Sequence, residues 1–166
     1  MIKVTAHIFR SMLLVIAMCL PLGLLAQDDY SAMEQEVLTY VNEYRARKGL
    51  RPLEMNAAIR EAAFGHSKYM GTKTIRINHD GFEERMYGLM KALKPANGAA
   101  ENVANGQHSA KEVVTMWLNS PGHRENIEGD YNLSGIAIYK NKNGVLYFTH
   151  IFIRQKQATA AAKPRG

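Results

Sequence analysis

Apolar residues first recur at a helical period between positions 33 and 44. The stripe consists of Met33, Val37, Tyr40, Val41 and Tyr44. Because one face of an α-helix repeats every three or four residues, the stripe predicts an amphipathic helix. Ser31 followed by Glu34 is the capping-box pattern of a helix start, and Gly49 predicts that the helix ends near Lys48.

Three more helices are predicted in the centre of the chain. One begins after Asn56, ends at Gly71 and has an apolar face made of Ile59, Ala62, Ala63, His66 and Met70. A short one is predicted at 83–93, inside a long Gly- and Asn-rich connection of the kind that is often functional. The last follows a second capping box at Ser109 and Glu112, and its buried stripe is Ala110, Val113, Val114, Trp117 and Leu118.

Two strand-like runs, at 133–140 and 145–153, close the domain. The Asn-Gly pair at 143–144 between them is typical of a β-hairpin. Both faces of the second run are largely apolar, which predicts a central strand covered on both sides. Helices followed by a hairpin predict an α+β fold, a three-layer α-β-α sandwich with a small, mostly antiparallel sheet.

Residues 1–26 have the organisation of a secretory signal peptide. Lys3 and Arg10 precede an apolar run at 12–20, and Ala26 is a small residue at the expected cleavage point. The run is short for a membrane span, so we expect cleavage, no stable span afterwards and a secreted or periplasmic protein; an uncleaved anchor is the alternative. Cleavage would also remove Cys19, the only cysteine, which excludes disulfides from the mature domain.

The remaining sequence predicts one domain at 31–154 and a disordered tail at 155–166, where no apolar period is present. The chain has 21 Lys and Arg against 15 Asp and Glu, a formal net charge of +6. These basic residues are scattered and form no stripe with interleaved aromatics, which argues against a nucleic-acid partner.

Six segments in a fixed order carry a family resemblance. They are Val41-Asn42-Glu43-Tyr44-Arg45, His66-Ser67-Lys68-Tyr69-Met70, Asn78-His79-Asp80-Gly81, Glu101-Asn102-Val103-Ala104, Trp117 to Ile127, and Tyr147-Phe148-Thr149-His150-Ile151-Phe152. Together they resemble the CAP superfamily (cysteine-rich secretory proteins, antigen 5 and pathogenesis-related 1 proteins; the SCP domain), and most closely its short, disulfide-free bacterial branch. The resemblance covers roughly 34–153 and implies an α-β-α sandwich with a cleft over the sheet.

The resemblance also implies site residues. In the eukaryotic branch the cleft holds two histidines and two glutamates; His79 matches the first histidine and Glu101 matches one glutamate. The second glutamate falls near Ser120 and the second histidine near Tyr147, so half of this tetrad is retained by position. The Ser-Pro-Gly-His-Arg turn of the bacterial branch supplies His123 instead.

His79, His123 and Glu101, the last in a predicted Ala-Glu-Asn turn, offer more than one kind of chemistry. Two neutral imidazoles, His79 and His123, with a carboxylate suit Zn²⁺ or another divalent cation that keeps an open position. In an enzyme, Glu101 would be the base and the histidines would hold metal or polarise the substrate, which makes all three candidate catalytic residues. The structural alternative is a hydrogen-bonded pair of Glu101 and His79 that braces the long loop.

Further polar residues are expected in or beside the ligand cleft, and each has a structural alternative. The cleft set is His66, Glu101, Asn102, Ser120, Arg124 and His150. His66 lies on an apolar helix face, where a hydrogen-bonded core histidine is common, and His150 would either line the cleft floor or pack within its strand. Ser120 suits a capping or turn role better than that of a nucleophile. Gly81 and Gly122 are expected in turns with unusual backbone angles.

Three functions remain open at this point. The leading hypothesis is a binding module for a lipid, an envelope component or an extracellular protein, with a divalent cation such as Zn²⁺ held by His79 and His123. The second is a metal-assisted or general-base hydrolase. The third is a structural interaction domain with an empty cleft.

Overall fold

The computed structural model describes residues 29–156, which contain five helices and four strands. The helices are α1 (Ser31–Arg47), α2 (Ala57–Lys73), α3 (Phe82–Ala92), α4 (Ala110–Asn119) and α5 (Pro121–Glu128). The strands are β1 (Glu54–Met55), β2 (Ala96–Asn105), β3 (Leu133–Lys140) and β4 (Leu146–Gln155). Within this part of the chain, no helix combines the length and apolar character needed to cross a membrane. The expected leader at 1–26 lies outside the described residues.

One mixed sheet has the strand order β1-β3-β4-β2. β3 and β4 form the predicted antiparallel hairpin, with Leu133 opposite Ile153 and Lys140 opposite Leu146. β2 pairs antiparallel with the other side of β4, while β1 adds a short parallel pair to β3. β4 is therefore internal, and its first eight residues are all buried, which confirms the predicted central strand.

Helices cover both faces of this sheet. α1, α4 and α5 enclose one core, which includes Val41, Trp117 and Phe148. The second core lies under α2 and α3 and includes Ile59 and Ile151. Phe148 and Ile151 belong to different cores because neighbouring side chains of a strand alternate between its faces. The predicted α+β sandwich is confirmed.

The start of α1 differs from the predicted capping box. The Ser31 backbone N–H donates to Asp29 Oδ1 at 2.9 Å, and no side chain caps the helix from its N-cap position. Glu34 is 2 % exposed; its carboxylate accepts from Arg60 Nε at 2.6 Å and from the backbone N–H of Ile138 at 3.0 Å. The Ser31–Glu34 box is therefore wrong, because this glutamate joins α1 to α2 and β3 instead.

Two glycines allow α2 to pack closely on the sheet. A Cβ on Gly71 would lie 2.5 Å from Tyr139 Cδ1, and a Cβ on Gly135 would lie 2.2 Å from the backbone nitrogen of Arg60. The predicted helix end at Gly71 is wrong: α2 continues past it and ends before Thr74, whose φ is +51°. Gly71 is needed for close packing and not as a terminator.

Two segments predicted as turns are regular elements. Pro121 and Gly122 begin α5, with Pro121 in the first turn, where its missing N–H has no cost. The expected unusual backbone angle is present at Gly81, with φ +70°, but Gly122 is not among the positive-φ glycines. Glu101 lies within β2 rather than in a turn.

The C-terminal strand ends at Gln155, two residues beyond the end of the predicted run at 145–153. Gln155, the first residue of the expected disordered tail, is still part of β4. Its backbone N–H donates to Asn132 Oδ1 at 2.8 Å, and its side-chain Nε2 donates to the carbonyl of Leu93 at 2.8 Å. Positions 157–166 lie outside the described residues.

Candidate functional site

Glu101 is the centre of the candidate site. It pairs with Ile151 across β2 and β4, so its side chain lies on the face of the sheet that α2 covers. The Glu101 side chain is fully inaccessible to solvent. A carboxylate buried in this way requires charged and hydrogen-bonding partners to offset its lost hydration.

Arg85 of α3 and His79 provide those partners. Arg85 Nη2 donates to both Glu101 oxygens, at 2.9 and 2.8 Å, and Arg85 Nε donates to Oε2 at 3.2 Å. His79 Nδ1 lies 2.9 Å from Glu101 Oε1. The contact between His79 and Glu101 is the one expected in the structural alternative, whereas Arg85 is not among the predicted site residues.

The loop before α3 places these groups. Gly81, in the left-handed conformation, is the N-cap of α3. Arg85 Nη1 donates to the carbonyl of Asp80 at 2.6 Å. The Asn78 side chain closes the loop by accepting from the Asp80 backbone N–H at 3.1 Å and donating to Asp80 Oδ2 at 3.0 Å. Arg85 therefore fixes both Glu101 and the loop that carries His79.

His66 anchors the same loop from α2. It is 3 % exposed, and its Nε2 lies 2.8 Å from the carbonyl oxygen of Asn78. Because a carbonyl only accepts, His66 Nε2 carries the hydrogen and is not available to a metal. Burial lowers the pKa of His66, against the opposing effects of Asn78 and Glu101. This neutral imidazole is a positioning group, in line with the core alternative for His66.

His79 presents one acceptor nitrogen to solvent. Its side chain is 52 % exposed. Since the Glu101 carboxylate accepts, His79 Nδ1 carries the hydrogen and Nε2 has a free lone pair. A carboxylate behind an imidazole fixes both the tautomer and the ring orientation. The cluster thus orients His79 Nε2 towards a hydrogen-bond donor or a cation.

His123 lies in the first turn of α5. Burial lowers the pKa of His123, and the nearby His79 lowers it further, so His123 is neutral at pH 7. Its Nδ1 is buried without a hydrogen-bond partner among the described residues. The buried Asn102 holds this turn of α5 by donating to the His123 carbonyl at 3.0 Å and accepting from Asn126 Nδ2 at 2.9 Å. Asn102 therefore supports the site from beneath α5.

Three expected cleft residues contact neither Glu101 nor His79. Ser120 is the residue between α4 and α5, and its carbonyl accepts from the backbone N–H of Arg124 at 2.9 Å. The Arg124 side chain donates to a main-chain carbonyl of α4 at 3.1 Å. His150 faces the opposite core, where its ring centroid lies 4.0 Å from that of Phe152 and 5.8 Å from that of Trp117.

The buried His150 predicts a loss of stability in acid. Burial lowers its pKa to about 3, and neither ring nitrogen has a hydrogen-bond partner among the described residues. An unfolded histidine titrates near ~6.5, so below that pH the unfolded chain binds more protons than the folded chain. Stability should therefore fall as the pH decreases from about 6.5 towards about 3, by about 2 kcal/mol at pH ~5.

Urea unfolding of His150→Leu between pH ~7 and ~4 checks this expectation. The variant should lack this part of the acid slope and keep its stability at neutral pH, because two unpaired polar atoms leave the core. His108→Leu is the matched control, since His108 is exposed and should leave the slope as it is. An unaltered slope in His150→Leu would contradict the assignment.

The protein side chains of this site can supply only part of the coordination of a metal ion. Between residues 29 and 156, no three or more His, Cys, Asp or Glu side chains are grouped so as to hold one. Both Glu101 oxygens are engaged by Arg85 and His79, and the guanidinium charge opposes a second cation there. His79 Nε2 and the His123 ring remain as donors, so water or a ligand would have to complete the coordination of a divalent ion.

A cavity of about 560 Å³ lies beside this cluster, between α2 and α3. Its lining residues are Ala62, Gly65, His66, Tyr69, Asp80, Gly81 and Arg85. That volume is within the usual range for small-ligand sites. A larger cavity of about 860 Å³ extends along α4 to Ser120, and neither His66 nor Arg85 lines it. The smaller cavity is thus the one that the Glu101 cluster borders.

Known sequences similar to this chain share most of the described domain. The family model of the cysteine-rich secretory protein family (CAP) matches residues 38–152. The chain is 35 % identical over 103 residues to the protein YkwD of Bacillus subtilis (strain 168), an alignment that covers 61 % of this chain and 40 % of YkwD. The chain spans well under half the length of the curated relatives it matches.

Solved structures share the same sandwich. An outer surface protein from Borrelia burgdorferi superposes with a TM-score of 0.69 at 24 % identity, over 78 % of this chain and 98 % of that one. An extracellular protein containing an SCP domain from Bacillus anthracis str. Ames superposes with a TM-score of 0.65 at 26 % identity, over 75 % of this chain and 41 % of that one. These likenesses agree with the α+β fold.

Proposed function

Since the chain belongs to the cysteine-rich secretory protein (CAP) family, we propose that it is a secreted or periplasmic binding module whose ligand engages His79. The predicted leader supports this location, as do the similar structures of an outer surface protein and an extracellular protein. The chain's own geometry supports the choice of site, because the exposed His79 contacts Glu101 and the Glu101 partner Arg85 lines the cavity between α2 and α3.

The observation that carries the proposal is the fully engaged Glu101 carboxylate. Its two oxygens accept from Arg85 and His79 while the side chain is closed to solvent. A general base must reach the proton that it removes, and Glu101 has no oxygen left for a substrate. This geometry favours binding over the hydrolase in which Glu101 is the base. Glu101 instead orients His79, and His79 Nε2 is the group offered to a ligand.

A divalent cation at His79 and His123 is the second candidate for this site. Both imidazoles have an available nitrogen, and the Glu101 carboxylate behind His79 is the kind of partner that tunes metal-bound histidines. A bound Zn²⁺ would supply a Lewis acid. The residues of the chain orient the two rings and leave the remaining coordination to solvent or ligand.

Calorimetric titration of the full-length chain tests the proposed site with three probes: Zn²⁺, phosphatidylglycerol vesicles and oligomers of N-acetylglucosamine. At least one probe should bind, and the variant His79→Ala/His123→Ala should lose that binding. Glu101→Gln, with the fold checked by circular dichroism, should weaken it by about 10–100-fold, because the carboxylate that orients His79 is gone. His108→Ala, an exposed histidine of another loop, is the matched control and should bind like the parent.

Two outcomes would overturn the proposal. One is that none of the three probes binds the folded protein. The other is that binding survives in His79→Ala/His123→Ala, which is what a structural interaction domain with an empty cleft predicts.

A further inference from the structure

An exposed aromatic ring stands at the cavity between α2 and α3. The exposed large hydrophobic residues of the described part of the chain are Tyr69, Ile77 and Tyr87. Of these three, Tyr69 lines the cavity and is 42 % exposed. Its ring stacks on His66 with a centroid separation of 6.2 Å and an interplanar angle of 15°. The buried His66 therefore supports Tyr69, and the exposed part of the Tyr69 side chain is open to a ligand.

Hydrogen-bond acceptors lie next to this ring. The exposed Asp80 carboxylate lines the same cavity, and only its Oδ2 contacts a neighbouring side chain, that of Asn78. His79, one residue before Asp80, offers Nε2 as an acceptor because its Nδ1 is committed to Glu101. An apolar platform bordered by acceptors suits a ligand with one apolar face and a rim of hydroxyl donors.

The charge of the cavity argues against anionic ligands. Arg85 contributes a guanidinium group to the lining of the cavity. All three nitrogens of that group already donate to Glu101 or to the Asp80 carbonyl. The exposed Asp80 carboxylate repels a phosphate or carboxylate that approaches the mouth. A charged lipid headgroup would thus find little compensation for its lost hydration.

The polar lining also argues against a hydrocarbon chain. His66, Asp80 and Arg85 contribute polar atoms to the wall, and covering such atoms with methylene groups removes their hydration without replacing it. A sugar ring avoids this cost, because its hydroxyl groups hydrogen-bond at the rim while its C–H face covers an aromatic ring.

We propose that the cavity between α2 and α3 binds a neutral saccharide chain, with Tyr69 stacked on a sugar ring and with His79 and Asp80 accepting from its hydroxyl groups. This assignment rests on the proposed function, since it gives a ligand class to the same site. A chain of sugars fits better than a single ring because the cavity, at about 560 Å³, exceeds the volume of one monosaccharide.

The test titrates the full-length chain with hexamers of N-acetylglucosamine and of mannose. One of them should bind the parent, and Tyr69→Ala should weaken that binding by about tenfold or more, since the stacking surface is lost. Tyr69→Phe should retain most of the affinity, which separates the ring from the hydroxyl and guards against misfolding. Tyr87→Ala is the matched control: Tyr87 is 72 % exposed on the neighbouring helix α3 and does not line the cavity.

Other outcomes separate this inference from the proposed function. If neither hexamer binds while Zn²⁺ or phosphatidylglycerol vesicles bind through His79, the saccharide assignment is overturned and the binding module stands. If a hexamer binds equally well to Tyr69→Ala, the stacking site is overturned. If no probe of any class binds, both proposals fail together.

Discussion

Replacement of Trp117 by alanine should destabilise the domain by about 3–5 kcal/mol. Trp117 is completely buried in the core between the sheet and the helices α1, α4 and α5. Its indole Nε1 donates to the carbonyl of Val103 at 3.3 Å, so it also ties α4 to β2. Alanine would leave a large cavity and remove the hydrogen bond to the Val103 carbonyl, because the sheet and the helices around the ring are held by other contacts and do not collapse fully.

Urea unfolding followed by circular dichroism measures this loss, since the variant lacks the only tryptophan of the chain. Trp117→Phe is the matched control: it keeps most of the apolar volume and removes the Val103 hydrogen bond, so its cost should be smaller, about 1–3 kcal/mol. A loss below about 1 kcal/mol in Trp117→Ala would show that the core closes around the missing ring, contrary to this account.

Trp117 also illustrates which parts of the fold the sequence predicts. α4 has a one-sided apolar stripe and a true side-chain cap, in which Ser109 Oγ accepts from the Glu112 backbone N–H at 3.2 Å. β4 is apolar on both faces, as a central strand must be. In both elements local preference and tertiary burial agree, so period and capping residues suffice to predict them.

The apolar period and the capping residues do not predict β2. Its sequence, residues 96–105, consists mostly of Ala and Asn with one Gly, and these residues have little preference for strands. It is a strand because β4 offers partners from Gly98 to Asn105 without interruption, after a register shift between Ala96 and Gly98. The two paired segments lie about 50 residues apart, and neither sequence contains a pattern that indicates this pairing. The location of Glu101 on the face that α2 covers follows only from the register of β2 and β4.

α5 was missed for a different reason. Pro121 and Gly122 interrupt helices in most contexts, and a turn was the natural prediction. In the structure Pro121 begins a new helix, a position at which its fixed φ and missing N–H are suitable. The correct prediction required knowing that Asn102 of β2 would donate to the His123 carbonyl of α5 and accept from Asn126 of the same helix.

About half of the residues that form the candidate site could be predicted from the sequence. Histidines in polar loops and a glutamate among small residues stand out in a sequence, and His79 and Glu101 are indeed in contact. Arg85 did not stand out, because it follows two glutamates in what resembles a solvated helix surface. A signal was nevertheless present: Arg85 lies on the stripe that Phe82 and Leu89 define at helical spacing, and that stripe faces the domain.

Replacement of Arg85 by methionine should cost about 3–5 kcal/mol at pH ~7, which is large for a residue near the surface. The Arg85 side chain is 16 % exposed, whereas that of Glu101 is fully buried. Methionine keeps much of the apolar contact of the arginine stem but leaves Glu101 as a buried anion with His79 as its remaining side-chain donor. The expected loss of stability is therefore the cost of a buried carboxylate that has lost its cationic partner. Urea unfolding measures this loss.

The double variant Arg85→Met/Glu101→Gln distinguishes this cause from a simple loss of packing. If the unpaired Glu101 charge is responsible, replacing Glu101 with the neutral Gln should restore most of the stability. The double variant should then be more stable than Arg85→Met alone. Surface ion pairs, by contrast, rarely contribute more than ~1 kcal/mol, so a small loss in the single variant would mean that Glu101 finds other compensation. A large loss of stability in Arg85→Met that the double variant restores would show that Arg85 allows the Glu101 carboxylate to be buried behind His79. Arg85 would then also be responsible for the fixed orientation of the exposed His79 ring.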